Sequence, residues 1–339
     1  MLSKTLRTIA IGFSIVTLSG SDSGASSDKN IEDTPLENVA DIPIPGPAVR
    51  FDYQSLDQSQ GRLYISHMNA GQLVVFDIKK NAVVANLDGF PKVHGVWAVP
   101  DLGRVYASNT GEHKVAVVDM KTLQTVARVG PIDYPDGLAY APAVERVFVS
   151  DEHGGVDAVI DTKTNTLIKN ISLGGGAGNT VYDSGSGRIL VAVHKMNDLV
   201  NIDPASMQIV SRVPLSGCEN PHGIALDVTN RLAFVACEEN AKLFVVDLKA
   251  MKVIGSYPVG EDPDVLAFDP GLGILYVSAE SGQVRIFREK GGKLVPQGGF
   301  TESHAHTVSV DPNTHLVYFP LENVNGHPIL RIMKPKNVV

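Results

Sequence analysis

The chain has 339 residues, 43% of them apolar, and a formal net charge of -8. That apolar content is ample for a sizeable buried core. The acidic balance, with no cluster of Lys or Arg, argues against a nucleic-acid backbone as the main partner, because such binding rests on basic patches.

The first element is a leader. Lys4 and Arg7 precede the apolar run IAIGFSIVTL, and the small polar stretch SGSDSGASS follows it. A positive start, a short apolar run and a small-residue exit read as a secretory signal peptide over residues 1–20, the alternative being an ordinary core helix. The run is too short to cross a bilayer as a helix. Residues 21–36 read as a flexible leader. A periplasmic or secreted protein is therefore expected, with no membrane span once the signal is cleaved.

From residue 37 onward the chain is periodic. Strands LYISH, VYASN, VFVSD, LVAVH, AFVAC, LYVSA and VYFPL end at residues 67, 109, 151, 194, 237, 279 and 321, a spacing of 42 or 43. A third strand in each of the first five units ends in aspartate: Asp77, Asp119, Asp161, Asp203 and Asp247. A turn and a fourth strand follow. Glycine, proline and β-branched residues are plentiful and aromatics few, which suits short strands joined by tight turns. Seven copies of such a unit predict an all-β fold, a seven-bladed β-propeller with four antiparallel strands per blade. The seventh unit stops after its third strand, at RIMKPKNVV. Its missing strand is supplied by ENVADIPIPGPA (37–48), which reads like QIVSRVPLSGCENP (208–221). Residues 38–44 are thus expected to close the last blade and remove the open edge. The predicted domain is 37–335, with a tail at 336–339.

The pattern LYISH, VYASN, LYVSA with the VVD–K–T–V turns resembles the YVTN-repeat propellers and is similar to the YncE family of exported bacterial proteins, over roughly residues 37–335. The resemblance implies the fold. Family members have diverse roles, so it carries over no catalytic set.

With strands a to d numbered outward from the axis, the starts of a and the ends of b share one face of the disc. Nine of the ten histidines fall on that face. The a-strand starts form an expected inner ring of Arg50, His94, Asp136, Asn179, His222, Asp264 and His306. The b-strand ends form an outer one that includes His67, Asn109, Asp151, His194 and Cys237. His94, His222 and His306 come from blades two, five and seven, and three imidazoles converging on the axis would suit zinc or another divalent metal. Asp136, Asp264 or Glu219 could then orient ligands or act as general base, although Asp136 and Asp264 could equally cap turns. Arg50, His67, Asn109, Asp151, Asn179 and His194 are candidate lining of a ligand funnel, while His67 and His194 could instead bond a neighbouring carbonyl. Cys218 and Cys237, the only two cysteines, are a disulfide candidate in an exported chain, with metal ligation by Cys237 as the alternative. GGGAG (174–178) lacks a following helix to hold phosphate and reads as a tight loop. No nucleophile elbow, HExxH or P-loop lysine motif occurs. Two functions follow from these residues. One is a binding module for a small molecule, an ion or a protein partner. The other is a metal-dependent, lactonase-like hydrolase or lyase.

Overall fold

A computed structural model describes residues 34–336. The expected signal peptide, the leader as far as residue 33 and the last three residues of the tail lie outside them. Seven four-stranded antiparallel sheets are arranged as blades. Six are built from consecutive strands, as in blade five: Pro221–Asp227, Leu232–Cys237, Lys242–Asp247 and Lys252–Pro258. Burial follows position. The b-strand Leu232–Cys237 is buried at every residue, whereas the outer strand Lys252–Pro258 alternates between exposed and half-buried positions. A strand covered on both faces needs a continuous apolar run, and one at the rim needs only its inward face.

The recurring aspartate has a local job. The side chains of Asp77, Asp119, Asp161 and Asp247 each accept backbone N–H groups two and three residues on. These bonds build the c–d turns.

The seventh sheet closes with an N-terminal strand, Leu36–Pro43, paired antiparallel to His327–Pro335. It starts two residues before the expected 38–44. Leu36 is buried in the core, and the Lys336 N–H donates to the Pro35 carbonyl. Residues 35 and 36 therefore belong to the closure and not to a leader.

Cys218 and Cys237 are joined in a disulfide spanning 19 residues of chain. Both are buried, and the bridge ties the d–a connection of blade five to the end of its b-strand. Replacing both with alanine is expected to lower stability by about 3 kcal/mol, from the regained chain entropy of a loop this size. Equilibrium denaturation checks this; an unchanged midpoint would show that the bridge constrains nothing.

Candidate functional site

The inner strands of blades two to six each begin with a register irregularity. In blade five, Pro221 pairs with Cys237, yet Ile224 pairs with Val235, so His222 and Gly223 face one residue of the partner strand. The same bulge occurs at Val93/Val96, Pro135/Leu138, Ala177/Thr180 and Pro263/Leu266. Bulges re-aim side chains, and here the first bulged residue is His94, Asp136, Gly178, His222 or Asp264. The second is often glycine for a steric reason. A Cβ on Gly223 would lie 1.8 Å from the Asp264 carbonyl oxygen, and one on Gly95 2.0 Å from that of Asp136.

The bulge corrects the expected inner ring at two places. In blade four the ring position belongs to Gly178, and Asn179 lines a cavity lower in the channel. In blade one it belongs to Asp52, whose N–H donates to Ser66 O. Arg50 still reaches the channel mouth, where its guanidinium pairs with Glu280 at 2.5 Å.

At the mouth lies a cavity of about 150 Å³ lined by six carboxylates, Asp52, Asp136, Glu152, Glu238, Asp264 and Glu280. Arg50, His94, His222, Tyr53 and Tyr134 complete the wall. Crowded, desolvated carboxylates resist ionisation. Burial and the neighbouring Asp264 and Asp136 hold Asp52 well above its ordinary range. Burial pushes Asp264 up to about 6 and raises Glu152 and Glu238 as well. Burial also works against a charge on His222, but Glu238, Asp264, Asp136 and Glu152 outweigh it and raise its pKa to about 10.

His222 sits at the centre of a polar network. On one side its Nε2 lies 3.1 Å from the Tyr53 hydroxyl, 3.5 Å from Asp264 Oδ1 and 3.8 Å from Asp136 Oδ2. On the other its Nδ1 lies 3.3 Å from His194 Nε2 and 3.5 Å from Glu238 Oε1. Gly178 makes room for this pair, since a Cβ there would stand 2.8 Å from His222 Cα and 3.1 Å from His194 Nε2. Burial, with the charge on His222, drives the pKa of His194 down to about 3 and keeps it neutral.

The expected tri-histidine centre is divided among other partners. His94 donates from Nδ1 to the Lys92 carbonyl at 2.8 Å and accepts the Tyr134 hydroxyl at Nε2, 3.1 Å away. His306 is fully buried and donates from Nε2 to the Phe51 carbonyl at 2.8 Å. Among the described residues, two groups place three ligand atoms within 4.8 Å of one another: His194 with His222 and Glu238, and Asp52 with Asp264 and His306. His94, His222 and His306 do not form such a group.

The other candidates lie away from the cavity. His67 stacks on Phe51 with ring centroids 4.1 Å apart, and burial lowers its pKa to about 4. Asn109 donates to the Gly89 carbonyl. Asp151 accepts backbone N–H groups of Asp133, Tyr134 and Gly154 and so caps loops. Glu219 is exposed, outside the lining. Cys237 is engaged in the disulfide and is not a free thiolate.

Several lining residues escaped the sequence reading: Asp52, Tyr53, Tyr134, Glu152, Glu238 and Glu280. For the glutamates a signal existed. Glu152, Glu238 and Glu280 each directly follow the last residue of a b-strand, and Glu322 follows VYFPL at the corresponding place in the seventh repeat. An acid recurring at that place in four of seven units marks the channel mouth. Below it, past Tyr53, the channel widens into a cavity of about 390 Å³ whose walls mix apolar Val96, Leu138 and Ile224 with polar Gln54, Asn179 and Thr180.

No family model matches the chain, and no curated protein matches it. Among solved structures, hydrazine synthase of Kuenenia stuttgartiensis matches with a TM-score of 0.71 over 92% of this chain and 99% of that chain. At 17% identity this likeness speaks for the β-propeller fold alone.

Proposed function

We propose that this is an exported propeller of the YVTN-repeat, YncE-like kind that captures a small cation at the mouth of its channel. The observation that carries the reading is the cavity wall, in which six carboxylates face one arginine and two histidines. A cation entering there relieves repulsion that otherwise keeps some of these acids protonated. The disulfide favours an oxidising compartment, in line with the signal-like N-terminus. Among the described residues no helix is long and apolar enough to cross a membrane.

Catalysis in the lactonase-like manner is a second reading of the same chamber. Burial holds Glu152 and Glu238 above the usual carboxylate range, beside the space a substrate would enter, where either is suited to take a proton.

Equilibrium dialysis of chelator-treated protein against Ca²⁺, Mn²⁺, Zn²⁺, tetramethylammonium and phosphate tests the cation reading. Retention of at least one cation near one equivalent is expected, reduced at least tenfold in affinity by Asp136→Asn. Uptake of phosphate alone, or of nothing, overturns it.

A further inference from the structure

From the same chamber, and resting on the cation reading, we infer that His194, His222 and Glu238 form a binding site for one divalent first-row transition metal ion. The argument is geometric. A tetrahedral ion with bonds of about 2.0–2.1 Å holds its ligand atoms roughly 3.4 Å apart. His194 Nε2 and His222 Nδ1 are separated by 3.3 Å, and His222 Nδ1 and Glu238 Oε1 by 3.5 Å. All three atoms fall within 4.8 Å of one another.

The groups behind each ligand fit the same role. Ligation through Nδ1 displaces the proton that charged His222 carries there and releases it to solvent, and the proton kept on Nε2 needs an acceptor. His222 has three oxygens on that side, with the Tyr53 hydroxyl nearest. Glu238 is held by its other oxygen: the Asn220 amide donates to Oε2 at 2.7 Å and leaves Oε1 free to ligate. The backbone is fixed too, because Glu238 N–H donates to the Asn220 carbonyl and the disulfide closes the loop beside it. Gly178 contributes by its missing side chain, which would otherwise crowd the His194 imidazole and the backbone that carries His222.

The donor set selects the ion class. Two imidazoles and one carboxylate suit Zn²⁺, Co²⁺ or Mn²⁺. Ca²⁺ takes six to eight oxygens and is a poor match. His222 and Glu238 both line the chamber, so a fourth position on the ion faces the acidic cavity and stays open to water or a small ligand.

Cobalt reports such a site directly. Titrating Co²⁺ into the chelator-treated full chain is expected to give one equivalent of bound ion with visible absorption of a four-coordinate centre, and X-ray absorption on the Zn²⁺ form is expected to show two imidazoles. His194→Ala and the near-isosteric Glu238→Gln should each weaken Co²⁺ binding at least thirtyfold, with thermal midpoints in chelator equal to the parent's. Asp264→Asn and His306→Ala complete the set. If those two abolish binding while the first two leave it intact, the ion sits with Asp52, Asp264 and His306, and this inference fails while the chamber still binds a cation. If the parent retains no cation of any kind, the underlying reading fails as well.

Discussion

Removing residues 34–43 is expected to abolish the single cooperative thermal transition of the parent and leave a chain that aggregates on heating. The strand Leu36–Pro43 supplies the whole outer edge of blade seven, pairing with His327–Pro335 over its length. Arg331 clamps it from the partner strand, donating to both Asp41 oxygens at 2.9 and 2.8 Å and to Glu302 at 2.9 Å. Leu36 is buried in the core that also holds Tyr276, Val317 and Phe319. The loss of one buried leucine costs about 2–5 kcal/mol. Each ladder hydrogen bond adds about 1 kcal/mol, so the total rivals the net stability of a typical domain. The deletion also bares the edge of a nine-residue strand, His327–Pro335, which invites pairing between chains. Thermal unfolding by circular dichroism and light scattering check this outcome. A synthetic peptide of residues 34–44 should restore the transition when added in excess. A truncated protein that melts like the parent would show that the ring holds without its closure.

Asp157→Asn is expected to flatten the dependence of stability on pH between about 5 and 8. Asp157 lies in the third strand of blade three, Val156–Asp161, fully buried with both carboxylate oxygens lacking a hydrogen-bond partner. Burial pushes its carboxyl up to about 8, far above the ordinary value of 3.8. A folded-state pKa above the unfolded one means that the native chain binds the proton more tightly. The stabilisation is therefore complete below about pH 4 and is lost as pH rises through 8, at no more than about 1.4 kcal/mol per pH unit for one group. Asparagine keeps the shape and cannot ionise. The variant should match or fall slightly below the parent at pH 5 and exceed it clearly at pH 8. Urea denaturation at pH 5, 6.5 and 8 measures the difference, and parallel profiles for the two proteins would refute the assignment.

The architecture was legible because it repeats. A b-strand such as LAFVAC is covered on both faces, so its composition alone betrays its place, and the 42-residue spacing counts the blades. The closing strand could be read too, since a unit lacking its last strand at one terminus and a spare strand at the other have one economical solution. The face of the disc carrying the polar residues followed from strand direction. It placed His94, Asp136, His222 and Asp264 at the channel mouth, where all four line the cavity.

What the sequence could not supply was anything below the scale of one residue. The bulge at the start of the inner strands of blades two to six shifts register by one, and in blade four that step gave the ring position to Gly178 in place of Asn179. Side-chain direction was equally out of reach. His94 turns to Tyr134, His306 to Phe51, and His222 to His194 and Glu238, because each of these buried imidazoles takes a near partner for at least one ring nitrogen. Composition and period thus determined the fold, its closure and the face that carries the histidines, since those follow from strand order and direction in every repeat. Only the packed ring decided which groups meet, because ligand distances of about 3 Å depend on bulges, rotamers and neighbouring blades that no single repeat contains.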